Sequence, residues 1–421
     1  MTTNTEIYNL LEERGYIYQC TDFDAVKQML SSGKPITFYL GIDPTADSLH
    51  IGHFFALMVF RYLQDAGHKG ILVIGGATAL IGDPSGKSDM RKMLTKEQVQ
   101  HNMEEVKELA KHFIRTDGEN PALILSNSEW INKYSYIDFM REIGQHFNVN
   151  KMLASEAYAN RLAEGGLTFL EMGYMLMQAY DFAYLNETYG CTLQIGGSDQ
   201  WGNIVAGTML HRKREFLLGS TDSSSDIYGL TNPLLLTKEG KKMGKTETGT
   251  LWVARDKTTP YDFYQYFYNV NDNDVDTLLR LFTRVPLDEI NNLIHNDIIK
   301  AKKLMAYEVT KLVHGQEEAD KVITMINSLF TSNNTNVQAA APTCTLSKNK
   351  LIAGYPVIEI LVDCELAPTK SEARRLIAQG GVTINNEKVS DVYAVCTEKT
   401  LANDSLLIKK GKKAYKKAIF E

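Results

Sequence analysis

Two histidines, three residues apart, are the first candidates for chemistry. His50 and His53 enclose Gly52 and follow an apolar run, Ile36 to Leu40, that is typical of a buried strand. They stand where a helix is expected to begin, and there unpaired amides and the positive end of the helix dipole favour a phosphate. Each imidazole can donate a hydrogen bond to phosphate, and Gly52 lets a flat ring approach the backbone. A metal site is the weaker interpretation because no third ligand is near, and ordinary helix-start histidines are the alternative.

A lysine-rich stretch about 190 residues later is the second candidate. It reads KKMGKT from Lys241 to Thr246 and follows a predicted strand, Leu234–Leu236. Lysines three residues apart, Lys242 and Lys245, with a hydroxyl beside them can clamp a polyphosphate from a mobile loop. A solvated surface loop is the alternative.

Polar residues on a predicted helix and after a predicted strand form the third candidate. Tyr174, Gln178 and Asp181 are spaced i, i+4 and i+7, which places them on one helical face. The stretch from Gln194 to Asn203 puts glycines, an aspartate and a glutamine at the carboxyl end of a strand, where small ligands bind in open α/β sheets. A partly solvated helix flank is the alternative for the first group.

Two common nucleotide motifs are absent from the sequence. The stretch containing Gly86, Lys87 and Ser88 resembles a P-loop, but the position five residues before Gly86 is Ile81 rather than glycine. No G-x-G-x-x-G follows a predicted strand, which removes the main support for a dinucleotide site.

Alternating apolar and amphipathic stretches predict the fold of the first half. The predicted strands lie at 36–40, 71–74, 122–125 and 191–195, and the predicted helices at 51–66, 95–113 and within 135–189. Thr95, with Gln98 three residues later, predicts a capped helix start. Strands and helices that alternate at this spacing predict an α/β fold with a Rossmann-like, doubly wound parallel sheet.

The rest of the chain divides into three further predicted segments. After an α/β domain over 1–255 with a helical insertion, the pattern predicts an α-helical domain over 256–330 and a linker over 331–350. Residues 351–421 form a separate α+β module, with 11 basic against 9 acidic side chains, whereas the whole chain has a charge of −6. A basic end permits an anionic partner such as nucleic acid, and a solvated lysine-rich end is the alternative.

Composition excludes several classes of protein. A hydrophobic content of 44% over 421 residues is typical of a folded protein rather than a disordered one. We expect no membrane span and no secretory signal, because no apolar run is long enough. The five cysteines are scattered singly, which argues against a disulfide framework or a cysteine-rich zinc site and suits a reducing cytosol.

The order and spacing of these motifs resemble a known family. The HIGH tetrapeptide His50–His53 and a later KMSKS-type loop are the paired signature of class I aminoacyl-tRNA synthetases. Further stretches resemble the bacterial tyrosyl-tRNA synthetases, namely FYLGIDPTADSLHIGH, IGDPSGK, YMLMQAYDF, LQIGGSDQWGN and KKMGKT. The C-terminal SEARRLIAQGGVTINNEKV is similar to an RNA-binding fold shared with a ribosomal protein, so the resemblance covers nearly the whole chain. Gly244 and Thr246 replace the two serines of the generic loop motif.

This resemblance implies an activity and its partners. The expected enzyme is an aminoacyl-tRNA ligase that activates L-tyrosine with ATP and transfers it to the 3′ end of tRNA(Tyr). Mg²⁺ is expected to accompany the ATP, with no dedicated protein metal site. A cytoplasmic homodimer is implied, paired through helices around residues 130–165. The helical segment would lie on the anticodon side of the tRNA, and the C-terminal module would bind RNA.

The resemblance also assigns residues to roles. The residues expected to act on the reacting phosphates are Thr45, His50, His53, Lys87, Arg91, Lys242, Lys245 and Thr246. Those expected to bind tyrosine are Tyr39, Asp83, Tyr174, Gln178, Asp181 and Gln194, with Tyr39 and Asp181 on the phenol. Those expected to bind ATP are Gly41, Asp43, His50, Gly52, His53, Gly197, Asp199, Gln200 and Lys245.

Two other classes of function fit the sequence less well. A nucleotide-dependent oxidoreductase needs a glycine fingerprint with an acidic residue ~20 positions later, and that fingerprint is absent. A non-catalytic RNA-binding descendant of a synthetase would have lost a signature residue. Here His50, His53, Lys242 and Lys245 are all present.

Overall fold

The computed structural model describes most of the chain. The described residues are 3–85, 93–217, 219, 226–237, 240, 243–246, 249–330, 343–385, 387–402, 404–411 and 414–421. They form two compact units, of which the first combines Met1–Thr258 with Phe267–Val313 and the second combines Thr259–Tyr266 with His314–Glu421. The predicted domain boundary between 255 and 256 stays a prediction.

The first unit is built around a mixed sheet with helices. Its strands are β1 (Gln19–Cys20), β2 (Thr37–Ile42), β3 (Lys69–Ile74), β4 (Leu123–Ser126), β5 (Cys191–Gly197) and β6 (Tyr228–Asn232), and a short hairpin comprises β7 (Lys245–Thr246) and β8 (Gly249–Thr250). Helices through the sheet region are α1 (Ile7–Arg14), α2 (Phe23–Ser31), α3 (Ile51–Asp65), α4 (Thr78–Ile81), α5 (Lys96–Ala110), α6 (Ser128–Ile131), α7 (Tyr136–Glu142), α8 (Val149–Leu153), α9 (Glu156–Glu164), α10 (Phe169–Tyr189) and α11 (Trp201–Leu217).

Residues 260–330 are almost entirely helical, as the pattern predicts. The helices there are α12 (Pro260–Tyr268), α13 (Val275–Phe282), α14 (Leu287–Asn296), α15 (Ile298–His314) and α16 (Gln316–Phe330). Among the described residues, none of the helices is both long and apolar enough to span a membrane.

The order of the strands confirms the doubly wound sheet. It is β1-β6-β5-β2-β3-β4, and every neighbouring pair is parallel except β1 with β6. The chain runs outward from β2 through β3 to β4 and then returns on the other side through β5 to β6. The carboxyl ends of β2 and β5 therefore flank the point where the winding reverses, and a crevice forms at such a point.

Side-chain caps and a buried ion pair fix the helices next to the sheet. Thr95 and Gln98 form the predicted reciprocal cap of α5, and Thr168 with Glu171 forms a similar cap at the start of α10. Glu171 is also paired with Arg161 at 3.0 Å, and both side chains are about 5% exposed. Helix α10, which carries the predicted polar face, is thereby anchored at its N-terminal end.

One predicted strand of the first unit is wrong. Leu234–Leu236 forms no strand of the sheet. The strand in this part of the chain is β6, which has already ended at Asn232. Pro233 follows directly, and proline cannot donate a ladder hydrogen bond. Leu234 and Leu236 are 40% and 46% exposed, so the apolar run is a surface segment rather than a buried strand.

The second unit contains the predicted C-terminal module with a larger sheet than expected. Its strands are β9 (Thr343–Leu346), β10 (Tyr355–Pro356), β11 (Val382–Ile384), β12 (Glu387–Lys388), β13 (Val395–Cys396), β14 (Ser405–Lys410) and β15 (Ala414–Phe420), and its further helices are α17 (Lys348–Ala353), α18 (Val357–Asp363) and α19 (Lys370–Ala378). The main sheet has the order β12-β11-β14-β15-β9.

Two expectations about this region are wrong. Residues 343–350, assigned to the linker, form β9 and the start of α17, because β9 pairs in parallel with β15; residues 331–342 of that linker lie outside the described residues. A disulfide also joins Cys344 of β9 to Cys364 after α18, although the scattered cysteines argued against a disulfide framework. The two cysteines are 20 residues apart and meet only because β9 and α18 pack into one core, which no spacing motif reveals.

Candidate active site

Most of the predicted site residues line a single cavity at the carboxyl ends of β2 and β5. The cavity has a volume of about 880 Å³. It lies at the edge of the sheet where the winding reverses, which is where ligands bind in such folds. The predicted residues that line it are Tyr39, Gly41, Asp43, Thr45, His50, Gly52, His53, Asp83, Tyr174, Gln178, Asp181, Gln194, Gly197, Asp199 and Gln200.

The predicted cationic residues are placed only in part. Outside the described residues lie Lys87, Arg91 and Lys242. The backbone of Lys245 and Thr246 forms β7, and Met243 and Gly244, directly before it, line the cavity. The lysine stretch therefore reaches the cavity at Met243 and Gly244, and the roles of Lys87, Arg91, Lys242, Lys245 and Thr246 stay predictions.

His50 and His53 form a reciprocal cap at the start of α3. His50 Nδ1 accepts hydrogen bonds from the backbone N–H groups of Gly52 at 3.1 Å and His53 at 3.3 Å, and His53 Nδ1 accepts one from the N–H of His50 at 3.3 Å. The two rings stack with their centroids 3.7 Å apart. Because Nδ1 accepts in both rings, each neutral imidazole carries its proton on Nε2, where it can donate to a ligand.

This cap corrects two expectations about the start of α3. The amides of Gly52 and His53 are not unpaired, because both donate to His50, and the amide of Ile51 donates to the carbonyl of Leu251 at 3.2 Å. The flat ring against Gly52 is that of His50 itself, since a Cβ at Gly52 would lie 3.0 Å from His50 Cε1. These amides are therefore engaged within the protein, and an anion at the start of α3 would need other donors.

Asp43 fixes the position of Tyr174 in the cavity wall. The Tyr174 hydroxyl donates to Asp43 Oδ2 at 2.9 Å, and Thr78 Oγ1 donates to Asp43 Oδ1 at 2.7 Å. Asn127 Nδ2 in turn donates to Thr78 Oγ1 at 3.0 Å. Both carboxylate oxygens of Asp43 are therefore engaged within the protein, so Asp43 acts here by orienting its neighbours.

Asp181 lies at the buried end of the cavity and is held by two donors. Trp130 Nε1 donates to Oδ1 at 2.7 Å, and Asn127 Nδ2 donates to Oδ2 at 3.1 Å. Burial raises the pKa of Asp181 to about 7, the charge of Asp43 adds to this rise, and the two hydrogen bonds oppose it. Near neutral pH the group is therefore divided between its charged and neutral forms.

Asp83 links the two predicted halves of the site. Its Oδ2 accepts a hydrogen bond from Gln200 Nε2 at 2.7 Å, and its Oδ1 accepts one from the N–H of Ser85 at 2.9 Å. Gln200 Oε1 accepts a further bond from Asn203 Nδ2 at 3.1 Å. A residue expected to bind tyrosine and one expected to bind ATP are thus directly connected.

Three buried polar atoms in the cavity wall have no hydrogen-bond partner among the described residues. They are the hydroxyl of Tyr39 and the Oε1 atoms of Gln178 and Gln194. Tyr39 and Gln194 are neighbours across β2 and β5, and Gln178 lies on α10. An unsatisfied buried polar group costs about 1–3 kcal/mol, so such groups are rare in folded proteins. Their convergence in one cavity favours a ligand with several hydrogen-bonding groups.

Sequence reasoning missed four residues of this site: Thr78, Asn127, Trp130 and Trp252. Asn127 directly follows β4, so the signal that identified the residues after β5 could have found it. No pattern in the neighbouring sequence indicates that Trp130 or Trp252 belongs to the site. Trp252 reaches the site by forming an isolated antiparallel bridge with His50.

The chain matches two family models that together span nearly all of it. Residues 31–331 match the model described as tRNA synthetases class I (W and Y). Residues 335–418 match the model of the tyrosine–tRNA ligase SYY-like C-terminal domain.

Named relatives are similar over the full length. The tyrosine–tRNA ligase of Clostridium botulinum (strain Hall) is 48% identical over 421 residues, which covers 99% of this chain and 100% of the relative. That of Clostridium kluyveri (strain NBRC 12016) is 49% identical over 420 residues and covers 99% of both. Among solved structures, a C-terminally truncated mitochondrial tyrosyl-tRNA synthetase from Aspergillus nidulans superposes with a TM-score of 0.68 at 30% identity, covering 77% of this chain and 94% of that one.

Proposed function

This chain belongs to the class I tRNA synthetases and acts as a tyrosine–tRNA ligase with ATP as a substrate, and from that premise we propose how the residues of its cavity divide the reaction. One end of the cavity binds tyrosine, and the end formed by α3 binds ATP. This division is supported by three buried polar atoms, on Tyr39, Gln178 and Gln194, that have no hydrogen-bond partner in the part of the chain that the structure describes. They need partners that a phenol hydroxyl and an ammonium group supply.

The phenol of the substrate is proposed to lie between Tyr39 and Asp181. The Asp181 carboxylate accepts the hydrogen bond from the substrate hydroxyl, while Trp130 and Asn127 keep that carboxylate in place. The Tyr39 hydroxyl gains a partner only when the substrate arrives. Phenylalanine would leave the Tyr39 hydroxyl without the substrate as a partner and would deprive Asp181 of one hydrogen bond, and such a site discriminates strongly against an analogue that lacks the hydroxyl.

The ammonium group is proposed to lie beside Tyr174, Gln178 and Asp83. Gln178 Oε1 is a buried acceptor without a partner among the described residues, and an ammonium group has three donors to offer. The Tyr174 oxygen is held by Asp43 and can accept one of these bonds. Gln194, on β5, offers its Oε1 atom as a further acceptor to the same substrate.

The chemical step needs alignment rather than a protein nucleophile. A carboxylate oxygen of tyrosine forms a bond to the α-phosphorus of ATP, and the bond from that phosphorus to the pyrophosphate oxygen breaks. Nε2–H groups of His50 and His53, with Thr45, are proposed to donate to the phosphates on one side. Lys242, Lys245 and Thr246 act from the other side, with Lys87 and Arg91 reaching the same anion. Donors aimed at charge that develops in the transition state lower the barrier.

The second step transfers tyrosine from the adenylate to tRNA. A ribose hydroxyl at the 3′ end of tRNA(Tyr) attacks the tyrosyl carbonyl carbon, its proton is lost, and AMP leaves with the bonding electrons. ATP is proposed to lie along Gly41, Asp43, Gly52, Gly197, Asp199 and Gln200. Mg²⁺ is proposed to enter with the ATP phosphates, because the described residues contain no cluster of three or more histidine, cysteine or acidic side chains able to hold it.

Exposed apolar side chains support a proposal about assembly. We propose a homodimer through the region around residues 130–165, supported by large apolar side chains exposed there and just beyond it, namely Tyr136, Ile137, Leu162, Phe169 and Leu170. Light scattering should give a mass twice the 47.3 kDa of one chain, and Phe169→Asp should lower the measured mass.

We also propose that the lysines of β14 and β15 contact the tRNA backbone. The enzyme is further proposed to work in the cytoplasm, where tRNA and ATP are found.

Tyrosine-dependent exchange of pyrophosphate into ATP tests the proposed function. We expect exchange with L-tyrosine and none with the other nineteen amino acids. Charging of tRNA(Tyr) in the same preparation tests the second step. A protein that binds tRNA but exchanges no pyrophosphate with any amino acid would be the non-catalytic descendant instead.

A further inference from the structure

Gly244 occupies a place that accepts only glycine. Its φ is +83°, in the left-handed region that side chains rarely adopt. A Cβ at this position would lie 2.4 Å from Cγ2 of Ile51, the first residue of α3. Gly244 is buried, so an added side chain at this position could not turn into solvent unless the backbone moved.

Ile51 cannot give way to such a side chain. It is 4% exposed. It is also β-branched and lies in the first turn of a helix, where one side-chain rotamer is strongly preferred. The contact therefore fixes the distance between the backbone of the lysine stretch and the start of α3.

Backbone hydrogen bonds connect the same two segments. The N–H of Leu251 donates to the carbonyl of Gly244 at 2.7 Å, and the N–H of Ile51 donates to the carbonyl of Leu251 at 3.2 Å. The N–H of Val253 donates to the carbonyl of Leu49 at 2.8 Å, on the other side of His50. Without the carbonyl of Leu251, the amide of Ile51 would have no partner at the helix start. The segment that contains Gly244 and Leu251 therefore completes the cap of α3.

We propose that Gly244 is a positioning residue for adenylate formation, because its close contact with Ile51 fixes the backbone that leads into Lys245 relative to the start of α3. This inference rests on the proposed function, since it assigns Gly244 a part in the same reaction. Gly244 acts through its neighbours: His50 lies one residue before Ile51, and Lys245 lies one residue after Gly244. Glycine in place of the generic serine is then required by the close approach to Ile51 and the positive φ, and is not a neutral change.

Gly240 provides a matched control for the substitution Gly244→Ala. Its φ is +79°, nearly the same as that of Gly244, but no atom of the described residues lies within 4 Å of the position its Cβ would take. Alanine therefore strains the backbone equally at both sites and meets a neighbour only at 244. Any difference between the two variants measures the contact with Ile51.

Single-turnover formation of tyrosyl-adenylate in the full chain is the assay. We expect Gly244→Ala to slow this step ~10-fold, the effect of modest overpacking, and Gly240→Ala to change it less than ~3-fold. The dissociation constant for tyrosine should stay within twofold of the unmodified value in both variants, which a general loss of structure would not allow. Equal rates for the two variants would overturn the proposal.

A second substitution at Ile51 shows whether Cγ2 is the cause. Leucine has no second γ carbon, whereas valine keeps both, so Ile51→Leu should restore the rate of Gly244→Ala and Ile51→Val should not. Each double variant is compared with its own Ile51 single variant, so that the coupling is isolated. If Gly244→Ala does not fold, recovery of soluble tyrosine-binding protein by leucine alone supports the proposal, and failure of both double variants contradicts it. An unmodified chain that makes no adenylate would refute the proposed function instead.

Discussion

Replacing Tyr39 by phenylalanine should stabilise the free protein and weaken its binding of tyrosine. The ring of Tyr39 is 1% exposed and packs edge-on against Phe182 with centroids 5.2 Å apart, and phenylalanine keeps that packing. The hydroxyl is buried without a partner among the described residues. Removing it therefore takes away an unfavourable group from the free protein and a useful one from the complex.

The size of both effects can be worked out from the hydroxyl alone. An unsatisfied buried polar group costs about 1–3 kcal/mol, so Tyr39→Phe should raise the free energy of unfolding by up to that amount. The melting temperature should rise by about 2 °C per kcal/mol for a unit of this size. A neutral hydrogen bond contributes about 0.5–1.5 kcal/mol, so the dissociation constant for tyrosine should increase about 2- to 13-fold. Binding of phenylalanine should not weaken.

Tyr158→Phe is the matched control. The Tyr158 hydroxyl is buried in the same core as Tyr39 but is satisfied, because it donates to the carbonyl of Met172 at 3.1 Å. Its removal should lower the melting temperature, opposite in sign to Tyr39→Phe. Thermal unfolding and calorimetric titration with tyrosine measure both quantities. A lower melting temperature for Tyr39→Phe, or unchanged tyrosine binding, would show that the hydroxyl is not reserved for the substrate.

Four other outcomes are expected. Because the pKa of Asp181 is raised to about 7 and its charged form accepts the phenol hydrogen bond, tyrosine affinity measured by calorimetry should fall as the pH drops from 8 to 6, and Asp181→Asn should remove this dependence. Arg161→Met should lower the free energy of unfolding in urea by about 3–5 kcal/mol, since it leaves the buried carboxylate of Glu171 without its cationic partner. Lys245→Ala should slow adenylate formation about 10²–10³-fold with tyrosine affinity unchanged. Thiol titration of denatured protein prepared without reductant should find three of the five cysteines, and all five after reduction.

Periodicity made the substrate face of α10 predictable. Tyr174, Gln178 and Asp181 all line the cavity, because residues spaced i, i+4 and i+7 share a helical face whatever surrounds them. The strand pattern likewise predicted that the glycines after Gln194 lie at the carboxyl end of a strand, which is β5. Both inferences depend only on local geometry, which the sequence carries directly.

The partners of Asp181 depend on contacts that the sequence does not carry. Asn127 and Trp130 lie more than fifty positions before Asp181 and reach it only because β4 pairs with β3 beside β2. The reciprocal cap at the start of α3 was equally hidden. Two imidazoles at a helix start can face a ligand or the helix itself, and only the backbone geometry shows that each ring uses Nδ1 for the helix.

The charges around the cavity support the proposed division between a tyrosine end and an ATP end. Among the described residues that line it are the carboxylates Asp43, Asp83, Asp181 and Asp199, and no lysine or arginine side chain. Such a wall attracts the ammonium group of an amino acid, and the charge of Asp43 contributes to the raised pKa of Asp181. The same wall repels a triphosphate. Cations must therefore come from elsewhere, and a lysine stretch whose backbone is tied to the start of α3 can supply them beside the histidines while leaving the amino-acid end negative.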